Sequence, residues 1–179
     1  MSTNKSTSKA ALLFAAVSTA SVGVNGFAQT AEQTSEKASQ QCQSIRADEG
    51  WRSTGITVNP SQFVCVAADG LWSHGAQGVQ AITPYYGPEG FAKDDPNNVP
   101  EVVSRVGALI GRIGQSAPFV VERGLCFIPT ATGQLSLSMN DDPGAFGNNA
   151  GYLRVAVATW PANYPPDRIH LPSAQCHPR

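Results

Sequence analysis

Between Asn140 and Gly151 the chain reads Asn-Asp-Asp-Pro-Gly-Ala-Phe-Gly-Asn-Asn-Ala-Gly, with two carboxylates, three Asn amides, three Gly and one Pro in twelve residues. Side-chain oxygens crowd a backbone that Gly144 and Gly147 kink and Pro143 stiffens. Hard oxygen donors in that density suit a calcium ion. Asn, Asp, Gly and Pro are also the ordinary turn formers, so the composition alone equally describes a plain turn. The EF-hand spacing is absent, as is the acidic residue that would close such a loop with a bidentate carboxylate.

The elements that must position this loop flank it directly. Leu135, Leu137 and Met139 alternate with Gln134, Ser136 and Ser138 before it, and Leu153, Val155 and Val157 alternate with Tyr152, Arg154 and Ala156 after it. Period-two alternation on both sides predicts two half-buried strands with the loop at a sheet end. Further strand-like segments fall near 54–58, 62–68, 106–113, 118–122 and 124–128, separated by turn signals such as Asn59-Pro60, Asp69-Gly70, Gly87-Pro88 and Thr132-Gly133. That spacing predicts an all-β chain, a small β-sandwich. No helix of ordinary length shows a 3.6-residue period. The longest irregular stretch is 71–104, and long ordered loops often carry function.

The compartment is read from the start of the chain and from its cysteines. Residues 1–28, with Lys5 and Lys9 ahead of the apolar run Ala10–Val24 and small residues before Gln29, read as a secretory signal peptide. Removing them leaves 151 of the 179 residues, enough for one domain with a core, carrying ten basic against thirteen acidic side chains. No basic patch exists to favour nucleic acid, and no second long apolar segment predicts membrane insertion. Cys42, Cys65, Cys126 and Cys176 all follow the leader and read as two disulfides of a secreted or periplasmic protein. Three connectivities are open, with 42–176 and 65–126 favoured. A Cys/His metal site at Cys176-His177 is a weak rival, because no second pair lies at zinc spacing.

The domain plan that follows has a flexible polar arm over 29–45, the β-sandwich over 46–160, and a Pro-rich tail over 161–179 that wraps the surface. Catalytic constellations are missing. There is no nucleophile elbow, zinc-protease helix, P-loop or dinucleotide fingerprint. The adjacent pairs Asp94-Asp95 and Asp141-Asp142 point to opposite faces of an extended chain, so neither forms an acid/base couple by itself. A glycosidase pairing Asp94 or Asp95 with Asp141 is the enzyme alternative.

The run Asn140-Asp141-x-Pro143-Gly144-x-Phe146-Gly147-Asn148-Asn149-x-Gly151 resembles the calcium loop of the PA-IL-like galactophilic lectins. Ala67–Gly75, Tyr86-Gly87-Pro88-Glu89-Gly90 and Gly107–Gly114 are similar to further segments of that family, in the same order. The resemblance spans roughly residues 50–158 and implies a jelly-roll-like sandwich of two curved antiparallel sheets with one calcium at its end. It implies Asp141, Asn148 and Asn149 as side-chain ligands, and the backbone carbonyls of His74 and Ala145 beside them. Two vicinal hydroxyls of galactose would complete the shell, so Asp141, Asn148 and Asn149 also become sugar-binding residues. Asp95 and Asn98 stand where the family places its secondary sugar contacts, with Asp95 in place of a His. The implied protein is a secreted, non-enzymatic lectin for galactose-containing glycans. Family members assemble as tetramers, which makes a homo-oligomer a further expectation. The strands and tail that would form its interface differ here, so the state is open. The rival reading is a calcium-stabilised structural or partner-binding sandwich without sugar binding. Trp72, Trp51 and Trp160 are expected in packing roles, Asp142 in water, and Tyr85 and Tyr86 equally in loop packing or the site wall.

Overall fold

A computed structural model describes residues 39–75, 84–91 and 101–175. The described residues contain eight strands: β1 (Ser39–Arg46), β2 (Arg52–Val58), β3 (Gln62–Ser73), β4 (Leu109–Ile113), β5 (Phe119–Val120), β6 (Gly124–Phe127), β7 (Gly133–Met139) and β8 (Ala150–Pro161). They form two four-stranded sheets, ordered β1-β8-β3-β6 and β2-β7-β4-β5, with every pairing antiparallel. The described residues contain no α-helix, only short 3-10 turns at Phe146–Asn148 and Pro166–Arg168.

Alternation decides which residues meet between the sheets. Val64, Val66 and Ala68 of β3 and Leu153, Val155 and Val157 of β8 face Leu135, Leu137 and Met139 of β7 and Leu109 and Ile113 of β4 in one buried cluster. Each fully buried aliphatic side chain there contributes roughly 1.5–3 kcal/mol relative to exposure. The other face of the first sheet is also covered: Cys65, Ala158 and Trp160 are buried with Phe63, Tyr164 and Ile169 packed against them. Tyr164 and Ile169 belong to the tail, which therefore lies over this face. Burial on both sides explains why Val64-Cys65-Val66-Ala67-Ala68 is apolar without a break.

Two sequence expectations change. Residues 39–45, expected in the polar arm, lie in β1, which pairs with β8 from Ser39↔Thr159 to Arg46↔Tyr152. Their polar side chains suit an edge strand, and Ile45, fully buried, ties its end to the core. The segment 106–113 narrows to 109–113, because positive φ at Gly107 (74°) breaks the extended chain. Residues 29–38 of the expected arm and the whole leader lie outside the described residues.

Cys65 and Cys126 are bonded across the β3–β6 pairing, where they stand directly opposite one another. Cys42 is disulfide-bonded as well; its expected partner, Cys176, lies outside the described residues. Among the described residues no helix is long and apolar enough to cross a membrane.

Candidate functional site

The strand ends bring the site together. Ser73 pairs with Ala150 at the last register position of β3 and β8, so the next residue on one strand, His74, and the preceding one on the other, Asn149, are brought to the same edge. Asp141 follows the end of β7 in the opposite sheet. The site thus spans both layers at one end of the sandwich.

Asn149 is the hub. Its side chain is fully buried. Its Nδ2 donates to Asp141 Oδ2 at 2.7 Å and to the Ala47 carbonyl at 3.1 Å, and its Oδ1 accepts from the Gly75 N–H at 3.1 Å. Ala47 is itself fixed by donating its N–H to the Gly151 carbonyl, extending the β1–β8 ladder by one bond. Asp141, only 1 % exposed, also accepts the Asp142 N–H on Oδ1 at 2.8 Å. A carboxylate buried this deeply is costly without donors or a cation, and the polar partners around it reduce that cost.

The loop between these residues closes by turn chemistry. The Ala145 N–H donates to the Asp142 carbonyl at 2.9 Å across Pro143 and Gly144, with Gly144 at φ 114°. Pro before a positive-φ Gly is the signature of a type II turn. A 3-10 turn over Phe146–Asn148 follows, Asn148 donates its N–H to the Ala145 carbonyl at 3.4 Å, and Phe146 packs against the core. Asn148 is exposed and Asp142 half-buried.

Asn140, to which the sequence assigns no role, and Tyr86, expected in loop packing or the site wall, form a supporting layer. Asn140, fully buried, accepts the Val102 N–H on Oδ1 at 3.1 Å and donates from Nδ2 to the carbonyls of Val102 at 3.1 Å and Arg105 at 3.2 Å. The Tyr86 hydroxyl receives the His74 N–H at 2.9 Å and lies 2.6 Å from His74 Nδ1. Tyr86 also exchanges two backbone hydrogen bonds with Trp72, at 2.9 and 3.1 Å. Burial, with the Asp141 charge adding to it, holds the Tyr86 hydroxyl well above the usual tyrosine range, so it stays protonated. For Asn140 the sequence signal is its place at the start of the loop motif.

Of the sequence-selected residues, Asp141, Asn148, Asn149, Ala145 and His74 fall at this one end. Asp95 and Asn98 lie outside the described residues. Trp72 is fully buried and donates Nε1–H to the Gly107 carbonyl at 2.8 Å, and Trp160 is buried too, both in packing roles as expected. Trp51 is partly exposed; it donates its indole N–H to the Glu101 carboxylate, and the Arg112 guanidinium lies 4.3 Å from its ring centroid. Tyr86 belongs to the site wall, whereas Tyr85 is exposed.

The donors present are oxygens: a buried carboxylate, two Asn amides and nearby main-chain carbonyls. That chemistry fits a hard cation such as calcium and not a thiolate- or imidazole-bound metal. Among the described residues no three or more His, Cys, Asp and Glu side chains are grouped so that they could hold a metal ion.

Fold and site together define a two-layer antiparallel sandwich with an oxygen-donor loop across one end. The chain belongs to the PA-IL-like family: the model for PA-IL-like protein matches residues 39–160, most of the described structure. It is 28 % identical over 111 residues to Lectin A of Photorhabdus laumondii subsp. laumondii, covering 61 % of this chain and 82 % of that one. Among solved structures it is similar to a chain titled "EclA N-terminal domain; PllA-like lectin". The TM-score is 0.54 at 20 % identity, covering 70 % of this chain and all of that one, a likeness of fold. The family is thus one of lectins, and its match begins at β1, where the strand replaces the expected arm.

Proposed function

We propose that this chain is a secreted or periplasmic calcium-dependent lectin that recognises galactose-type sugars and has no catalytic activity. The single observation that carries the reading is the buried Asp141–Asn149 pair at the end of the sandwich, within the span matched by the family. Asp141, Asn148 and Asn149 would hold the ion through side-chain oxygens, with the carbonyls of Ala145 and His74 beside them. Calcium, when bound, supplies a Lewis-acidic centre at which two vicinal sugar hydroxyls can replace water. Asn149 holds Asp141 in place, and the Pro143-Gly144 turn carries Ala145 and Asn148 around to the same end. Exposed Asn148 is the member a ligand reaches first. Asp95 and Asn98 are proposed as secondary sugar contacts. The Cys65–Cys126 disulfide supports an oxidising compartment.

The test is retention on immobilised galactose in calcium, release by chelator, and loss of both calcium and sugar binding in Asp141→Ala. Failure of the wild type to be retained at any calcium concentration removes the sugar claim. A second reading, calcium serving only to stabilise the fold, is favoured by the way Asn149 ties Ala47, Gly75 and Asp141 together. It predicts that calcium raises the melting temperature while a broad glycan panel stays silent.

A further inference from the structure

The Gly75 N–H points at Asn149 Oδ1, 3.1 Å away. A trans peptide is planar and sets its C=O opposite its N–H. The His74 carbonyl therefore faces away from Asn149, towards the Ser73 hydroxyl, which donates to it at 3.3 Å. An ion held by that carbonyl would lie on the order of 6 Å from Asn149 Oδ1, against roughly 2.4 Å for a coordinated oxygen. Both oxygens cannot serve one ion in this conformation.

We propose that calcium binding turns over the peptide between His74 and Gly75, and that Gly75 is the positioning residue that permits it. The inference rests on the calcium reading above. The residue before the hinge is pinned, because the His74 N–H is held by the Tyr86 hydroxyl at 2.9 Å. Rotation is thus confined to ψ of His74 and φ of Gly75. Gly75 stands at φ 69°, in the left-handed region that glycine enters without penalty. Half a revolution of the peptide carries it to negative φ, aims the His74 carbonyl to the Asn149 side, and releases Asn149 Oδ1 from the Gly75 N–H. One turn of a single peptide plane thus converts a hydrogen bond that closes the site into two oxygens that face the ion.

The consequence runs against the usual effect of altering a site residue. Alanine at position 75 is strained in the present conformation and relaxed after the turn. Gly75→Ala should lower the melting temperature in chelator yet bind calcium roughly tenfold more tightly than the wild type. Calcium titrations followed by melting temperature, and by the amide resonances of wild-type protein, test this. The Gly75 amide should shift strongly on calcium addition as its bond to Asn149 breaks. Unchanged or weaker calcium affinity in Gly75→Ala, or a Gly75 amide that stays put while those of Asp142 and Asn149 move, overturns the peptide turn and leaves the ion site standing. Wild-type amides that all stay put in calcium sink the calcium reading itself, and the turn with it.

Discussion

Removing the side chain of Asn149 should cost stability even with no metal present. Asn149→Ala deletes the bond to the Asp141 carboxylate and leaves the fully buried Ala47 carbonyl and the half-buried Gly75 N–H without this partner. A hydrogen bond to a charged group contributes about 1.5–3 kcal/mol, and a buried group left unsatisfied costs about 1–3 kcal/mol. The vacated space can admit a water that recovers part of this. The net loss should be about 2–4 kcal/mol, or roughly 5–15 °C in Tm for a domain of this size. Urea unfolding in excess chelator, followed by tryptophan fluorescence, reads this without any contribution from metal. Asn148→Ala is the control: its side chain is exposed, so it should stay within about 0.5 kcal/mol of the wild type in chelator. A loss under about 1 kcal/mol in Asn149→Ala would refute Asn149 as the brace of the site.

Three more outcomes are expected. Asp141→Ala should remove the calcium-dependent rise in Tm, read by paired melts in calcium and chelator; a rise of wild-type size would place the ion elsewhere. Tyr86 keeps its proton in the folded state beyond the pH at which it ionises unfolded, so stability is intact below about pH 10 and falls above it, by about 1.4 kcal/mol per pH unit from this group. Tyr86→Phe should flatten that alkaline slope, and equal slopes would show that another group causes it. The Cys65–Cys126 bond closes a separation of 61 residues, so replacing both by Ala should cost up to about 4 kcal/mol in urea unfolding under conditions that keep Cys42 oxidised.

Much of this protein is written locally. The alternation of Leu135, Leu137 and Met139 and of Leu153, Val155 and Val157 is enough to mark β7 and β8, because one buried face forces every second residue to be apolar. The turn Asp142–Ala145 is legible from its own residues, because Pro143 and Gly144 favour its dihedrals whatever surrounds them. Phe63–Val66 and Leu125–Ile128 mark Cys65 and Cys126 as strand residues, and the 65–126 half of the favoured connectivity is present.

What the sequence alone could not give depends on partners distant along the chain. β1 is a strand because β8 offers it a ladder and the core receives Ile45, although nothing in its own polar run demands one. Asn140, Tyr86 and Asn149 draw their roles from Val102, His74, Ala47 and Gly75, segments that touch only after the sheets have stacked. The direction of the His74–Gly75 peptide is of the same kind. Residue types supply a carbonyl and a flexible glycine, but which way the plane faces is decided by the long-range acceptor, Asn149 Oδ1, that captures its N–H.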